Sequence, residues 1–419
     1  MTNTHINCFD DSSALMRFAL AKQTILDKMT VIQESQQIAI ETAKGRCLAE
    51  DITSLINVPA HTNSAVDGYA LHSADLPTAD NEQNLTIQAT VFAGQFYEQA
   101  CQPQHCIRIM TGAAIPAGLD TVIMQEHCTI KTDSIHIASS HQVGQNVRQA
   151  GEDIKQGSTV LKAGKLLCPA DIGLLASLGI TEIKVKRKLR IAIASTGNEI
   201  YSPAATPNKG GLYDSNRYSL MAALDRPDIE IINLGIIKDQ EAELLATFNK
   251  AAEHADVIIS SGGVSVGAAD FTKTALQTGG KINFWRITLK PGRPLAFGKI
   301  KNCTFFGLPG NPIAVLVTFY QLVLPALEKA LAITDKPIAP LMKARSLENI
   351  HKKAGRTEIQ RGIVSQTATG EWQVKTTGKQ GSGILSSMSK ANAFIVLEHE
   401  QSIVNKGDLV NVQLFSGLF

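Results

Sequence analysis

Residues 256–271 read DVIISSGGVSVGAADF. A short apolar run passes straight into a glycine-rich loop, and an acid, Asp270, then stands where a helix is expected to begin. Glycines in such a loop let the backbone approach a ligand closely, and the first turn of a helix offers unpaired N–H groups to an anion. The stretch lacks the Lys and Ser/Thr ending of a P-loop, and its glycines do not fall as G-x-G-x-x-G, so neither standard nucleotide fingerprint fits. The fold is decided by the same cadence recurring on both sides. Upstream run LRIAIAST (189–196), a helical pattern at 216–224, IEIINLGII (229–237) and a second helical pattern at 239–254. Downstream come a helix after Asp270, NFWRITL (283–289), TFFGL (304–308) and a long helix from Pro312 to about Leu331. Strand and helix in alternation predict a central, doubly wound, mainly parallel α/β domain with right-handed crossovers.

The flanks have a different texture. Leu15, Phe18, Ala19, Ile25, Leu26 and Met29 recur at helical spacing, which predicts an N-terminal helix over 11–29 capped by Asp11 or Ser12. Between Ile52 and Asp153, the short alternating runs LTIQATVFAG, CIRIM, DTVIMQE and SIHIA predict a small β domain. CPADIGLLASLG (168–179) is a compact helix with Pro169 in its first turn and Gly179 as its stop. The basic run KVKRKLR (184–190) reads as a solvated strand edge in preference to an anion site. Beyond Pro337 and Pro340, EIQRGIV, WQVKTT, FIVLEH and DLVNVQLF, with turns at Gly370, Gly378 and Gly407, predict a C-terminal β-barrel-like domain.

Length sets the scale: 419 residues exceed what one core normally serves, so several domains are expected. With 40 basic and 38 acidic residues the net charge is +2, which argues against a nucleic-acid binder and toward small partners. Seven dispersed cysteines include no CxxC, since even Cys101 and Cys106 stand too far apart, and they read as reduced thiols. The start MTNTHINCFD has neither a basic nor an apolar leader region, and no run reads as a membrane span, so a cytoplasmic, membrane-free protein is expected.

In open parallel sheets ligands bind outside the carboxyl ends of the strands. Three loops follow strands here. ASTGNEI (194–200) carries Thr196, Gly197 and Glu199; SSGGVSVGAAD (260–270) carries Asp270; GLPGNP (307–312) places Asn311 to cap the long helix and Pro312 at its first position. Taken singly, Gly197 and Gly310 suit tight turns, and Asp239 and Asp270 suit helix caps. Taken together on one rim, they predict a site for an anionic ligand with a divalent cation, and carboxylates beside phosphate oxygens suit Mg²⁺. TLKPGRPLAFG (288–298) adds Lys290 and Arg293 as charge compensation for phosphate or an oxyanion.

An ordered set of motifs extends over nearly the whole chain. It runs NSAVDGYA (63–70), RIMTGAAIPAGLDTVIMQE (108–126), GEDI (151–154), STGNEI, YDSNRY (213–218), SSGGVSVGAADF, LKPGRPLAFG, FFGLPGNP, GRTEIQRG (355–362) and GSGILSSMSKAN (381–392). In this order they resemble the molybdopterin molybdotransferase family, the MoeA type that includes the gephyrin E domain. The resemblance implies an elongated, L-shaped subunit of four domains: residues 1–53 with 154–187, 54–153, 188–336 and 337–419. It also implies a homodimer whose active site joins the α/β domain of one subunit to the NSAVDGYA domain of the other. The implied reaction inserts molybdate, as substrate, into adenylylated molybdopterin with Mg²⁺ assisting and AMP released, the pterin being handed over by the enzyme that adenylylates it.

The family's functional acids fall on Asp67, Asp153, Glu199, Asp239 and Asp270, and Thr111, Lys290, Pro309, Pro312, Arg361 and Ser382 also match. Glu199, Asp239 and Asp270 are the candidate Mg²⁺ ligands, Asp67 orients substrate or handles protons, and Lys290 holds molybdate or phosphate oxygens. The same motifs put Asp214, Ser215, Ser261, Gly262, Gly263, Ser265 and Gly267 among substrate contacts, with Arg286, Gly310 and Asn311. Two positions depart from the family: Arg286 stands where FWK often has Lys, and Asn198 stands where TGDE has an acid. Two other functions were weighed. A non-catalytic pterin-binding scaffold would lack the acids, and a nucleotide hydrolase would use only the α/β domain.

Overall fold

The computed structural model describes residues 15–77, 82–138, 140–262, 280–336 and 341–415. Gly263, Ser265, Gly267, Asp270 and the helix expected after Asp270 lie outside the described residues. The chain divides into two compact units: residues 50–163 with 169–183, and the remainder.

The first unit is built on strands β1 (Gly68–Leu71), β2 (Gln83–Val91), β3 (His105–Ile109), β4 (Thr121–Met124), β5 (Cys128–Lys131) and β6 (Ser134–Ile137). They lie in the order β4-β1-β3-β2-β6-β5. Side chains alternate along each strand, so both faces bury apolar residues. Tyr69, Cys106 and Ile123 enter one cluster, while Ala70, Ile107 and Val122 enter the other. Gly68 is required where β1 meets β4, because a Cβ there would stand 2.0 Å from the Ile123 carbonyl oxygen. Gly68→Ala is expected to destabilise the protein by about 3 kcal/mol, since backbone rather than a flexible side chain must yield. Thermal denaturation checks this.

In the second unit, α1 (Phe18–Lys28) is shorter than the sequence suggested. Its entry is diverted because Met16 pairs with backbone: its N–H donates to Arg286 O (2.9 Å) and its carbonyl accepts from Thr288 N (2.8 Å). The central sheet contains β7 (Leu189–Thr196), β8 (Ile229–Ile237), β9 (Val257–Ser261), β10 (Gly280–Arg286), β11 (Pro294–Ile300) and β12 (Cys303–Leu308), in the order β8-β7-β9-β12-β11-β10. The pairs β7–β8, β7–β9 and β9–β12 are parallel, as expected, but β10 and β11 form an antiparallel edge. PLAFG, which the sequence reading assigned to no element, is part of strand β11, with Pro294 at the first position, where a missing N–H is tolerated.

Helices α2 (Asn216–Ala223), α3 (Glu241–Ala251) and α4 (Pro312–Ala330) accompany the sheet. Ile191 and Ile193 of β7 face one buried cluster and Ala192 and Ala194 the other, which is the double burial that a parallel sheet needs. α4 is long and apolar enough to cross a membrane, yet 78% of its apolar window is buried inside the fold, so it serves as a core helix. It widens into a π turn over Phe319–Val323, just before Pro325 deprives the helix of an N–H. Arg187 of the basic run is not merely solvated. It donates to both oxygens of Asp256 (2.7 and 3.0 Å), and burial, which pushes that carboxyl up, is outweighed by Arg187 and Arg190, which hold it below the ordinary carboxylate range.

The C-terminal strands β13 (Leu341–Ser346), β14 (Thr357–Gln366), β15 (Trp372–Thr376), β16 (Ala393–Leu397) and β17 (Leu409–Leu414) close on themselves as β14-β15-β13-β17-β16, with β16 returning to β14. Full closure removes free edges. The barrel shares a core with the α/β layer, because Ile359, Met388, Phe394 and Phe415 pack in the same cluster as α4 and β7.

Candidate active site

The carboxyl ends of β7, β8, β9 and β12 are drawn together by backbone. Gly197 N donates to Ile237 O (3.3 Å) and Gly262 N to Leu308 O (3.2 Å). Gly262 has φ +92°, and a Cβ there would stand 2.5 Å from Thr196 O, so only glycine lets these loops approach. The rim encloses a cavity of about 610 Å³. Of the residues expected there, it brings together Thr196, Gly197, Glu199, Asp214, Ser215, Asp239, Ser261, Gly262, Gly310, Asn311 and Pro312.

This cavity is rich in oxygen acceptors. Thr196 Oγ1, Asn216 Oδ1 and Asp239 Oδ1 are buried and, among the described residues, have no hydrogen-bond partner. Buried polar atoms are normally satisfied, so these three oxygens are the acceptors of this wall that the described residues leave open. Asp239 was considered as a cap for its helix; the N-cap is Gln240, and Asp239 instead turns toward the site. Burial, and then the neighbouring Glu199 carboxylate, raise its pKa. Asn198, where a TGDE motif has an acid, accepts from Asp239 N through its Oδ1 (3.2 Å) and, as an amide, adds no charge to this crowded corner.

Asp214 is differently employed. Ser195 Oγ and Arg217 N donate to its Oδ1 (2.8 and 3.2 Å) and Arg217 Nε to its Oδ2 (2.8 Å), with the pair buried, so it anchors the YDSNRY loop. Asn216, which the sequence reading passed over, ties the rim together: its Nδ2 donates to Ser261 Oγ (2.8 Å) and Gly310 O (2.7 Å), leaving Oδ1 for a ligand. The motif was visible, but nothing in its spacing singled out this amide.

Pro309 is in the wall of a second cavity, also of about 610 Å³, whose lining includes Gly310 and Asn311 in common with the first. Its other expected residues are Lys290, Arg293, Arg361 and Ser382; Arg356, Glu358 and Gln380 were not foreseen. Lys290 Nζ donates to both Glu358 oxygens (3.1 and 3.2 Å), because the strand Leu289–Lys290 pairs with Thr357 and Glu358. Arg361 is fully buried; burial lowers its pKa, opposed by Glu358, and it clamps the 379–381 loop through backbone carbonyls. Four cations against one carboxylate make this cavity basic. Asn311 occupies the N-cap of α4 but makes no side-chain cap bond, contrary to expectation, which leaves its amide available to either cavity. Among the described residues Arg286 is in the wall of neither.

The chain was compared with known proteins. Three family models match consecutive segments: the MoeA N-terminal region (domain I and II) over 16–179, a probable molybdopterin binding domain over 192–329, and the MoeA C-terminal region (domain IV) over 343–415. A molybdopterin molybdenumtransferase of Haemophilus influenzae is 41% identical over 401 residues, covering 95% of this chain and 98% of its own. The chain belongs to the molybdopterin molybdenumtransferase family. A Nostoc relative of the same name is 34% identical over 93% of this chain and 91% of its own. A crystal structure of the Pyrococcus horikoshii moeA protein aligns with TM-score 0.84 at 29% identity, covering 96% of this chain and all of that one.

The remaining family positions lie in the first unit. Asp67 is exposed, and Thr111 donates to its Oδ1 from both N and Oγ1, each at 2.7 Å. The Thr111 backbone bond, then its hydroxyl, hold the Asp67 carboxyl below its ordinary range, so it stays a carboxylate. Asp153 stands apart from that pair in a separate cavity with Asn63 and Arg148.

Proposed function

We propose that the chain is a molybdopterin molybdenumtransferase that inserts molybdate into adenylylated molybdopterin in a Mg²⁺-dependent reaction releasing AMP. One observation carries this reading: an acidic, oxygen-lined cavity and a basic cavity share the Gly310–Asn311 wall. A reaction that couples a phosphoanhydride to an oxyanion needs both environments side by side. Mg²⁺ fits the first cavity, whose free groups are hard oxygens: Glu199, Asp239 and the orphaned Thr196 and Asn216 atoms. Glu199 and Asp239 would hold it, with Asp270 the third acid of the sequence reading. Bound there, the ion supplies charge neutralisation at phosphate oxygens.

The chain's own groups supply position. Glycines 197 and 262 let backbone close on the phosphates, and Asn216 Oδ1 accepts from substrate. In the basic cavity, Arg293 and Arg356 attract molybdate, and Arg361 keeps the Ser382 loop in place. Lys290, half of a pair with Glu358, offers its remaining hydrogens. The protein would act as a homodimer in which Asp67, held ionised by Thr111, joins the α/β loops of the other copy. It would receive its pterin from the adenylylating enzyme in the cytoplasm, where the six described free cysteines stay reduced.

The decisive assay gives purified protein adenylylated molybdopterin and molybdate with and without Mg²⁺. AMP release and formation of active cofactor only with the metal are expected; no AMP under any condition would reject the reading. A hydrolase confined to the α/β layer is disfavoured because the barrel contributes Arg361 and Ser382 to the basic cavity.

A further inference from the structure

Asn63 and Arg148 face each other across a short antiparallel ladder in the first unit, Ser64 pairing with Val147 and Asn63 with Arg148. Directly opposed residues project to the same side. Both line a cavity of about 530 Å³ whose remaining wall is Val58, Pro59, Glu152 and Asp153. The GEDI loop is pinned there by backbone: Gly151 N donates to Pro59 O (3.0 Å), and Asp153 N and Ile154 N both donate to Val58 O (3.0 Å each). Gly151 has φ +73°, and a Cβ on it would stand 2.8 Å from Asn57 Oδ1, so the loop closes on residues 57–59 only with glycine.

Asn63 is 7% exposed. Its Nδ2 donates to His61 O (3.3 Å), and its Oδ1 is buried with no partner among the described residues. Glu152 Oε2 accepts from Gln149 N (3.0 Å), so the acceptors of the cavity are the Asp153 carboxylate, the other Glu152 oxygen and the Asn63 oxygen, with the Arg148 guanidinium as donor. Two carboxylates against one guanidinium repel phosphate or molybdate dianions. What fits is a neutral, planar group with adjacent N–H donors beside one carbonyl, lying against the apolar Val58 and Pro59.

We propose that this cavity binds the lactam edge of the substrate's pterin ring, with Asn63 and Asp153 accepting from the 2-amino and N3–H groups and Arg148 donating to the 4-oxo oxygen. This rests on the molybdopterin reading above and deepens it: the ring head is recognised at this cavity of the first unit. Specificity arises because a site with an orphaned acceptor discriminates strongly against a ligand lacking the matching donor.

Titration of the full-length protein with pterin, and with lumazine, whose 2-amino group is replaced by a carbonyl, tests this through the ligands' own fluorescence. Wild type is expected to prefer pterin by about tenfold, equivalent to loss of one hydrogen bond to a buried acceptor. Asn63→Ala is expected to abolish that preference by weakening pterin alone, and Arg148→Leu, at an exposed position, to weaken both ligands. Equal binding of the two ligands by wild type, or an unchanged preference in a folded Asn63→Ala, would overturn the assignment. So would an unaltered affinity in Arg148→Leu. AMP release measured on the same preparation separates the two readings: turnover without pterin preference defeats this site alone, whereas pterin preference without turnover defeats the enzymatic reading alone.

Discussion

Asp239→Asn is expected to cut Mg²⁺-dependent AMP release by about 10²–10³-fold, the cost of removing one preorganised charge partner from the site. The same change is expected to raise the melting temperature of the metal-free protein. Asp239 has a buried oxygen with no partner among the described residues, and burial together with Glu199 raises its pKa, so its ionised form is disfavoured in the fold. The native state then binds more protons than the unfolded chain, and stability falls as pH rises from the ordinary carboxylate value of 3.8 through the raised one. Asn cannot ionise and removes that slope. Thermal melts across this range, with and without Mg²⁺, check both signs: the ion should raise the wild-type melting temperature where Asp239 is ionised and leave the variant nearly unchanged. A variant that melts lower than wild type at neutral pH without metal would contradict the account.

Arg361→Leu is expected to destabilise the protein by about 3–5 kcal/mol, because it strips a buried cation from several acceptors at once. The guanidinium donates to Ser387 Oγ (3.0 Å), Gln380 O (3.3 Å), Gly381 O (3.1 Å) and Lys379 O (3.4 Å), and its own residue is fully buried. Leucine fills part of the volume but removes all four hydrogen bonds, with Gly381 O keeping Ile384 N (3.3 Å) as a donor. The 379–382 loop borders the basic cavity, so molybdate affinity should fall with stability. Denaturant midpoints measure the first effect and molybdate titration at a permissive temperature measures the second. Arg361→Lys is expected to fall between, since a point donor cannot reach all four acceptors.

Much of this was legible in the chain. The runs LRIAIAST, IEIINLGII and DVIISS became β7, β8 and β9 nearly as read; β7 and β9 are buried almost throughout, as continuously apolar strands must be, whereas β8 is a partly exposed edge strand. The rim loops were legible through glycine: Gly197 and Gly262 both take positive φ, and their type announces that requirement locally. Partners supplied by distant segments were not legible. Glu358 meets Lys290 across 68 residues, and Asn216 meets Gly310 across 94, so no spacing rule connects them. The antiparallel β10–β11 edge was missed because prolines and glycines in KPGRP signal turns more strongly than PLAFGKI signals a strand.

By itself, therefore, the sequence determined the alternation of strands and helices, the loops that gather at the strand ends and the acids those loops carry. Each of these follows from local conformational preference and short-period burial, which are written into consecutive residues. Tertiary structure alone decided which polar groups are spent and which remain free. Asp214 is consumed by Arg217, while Asp239 keeps an oxygen with no partner among the described residues, though both were acids in similar loops. The difference lies in desolvation and in the neighbours that packing brings within hydrogen-bond distance, and those depend on the whole chain being folded.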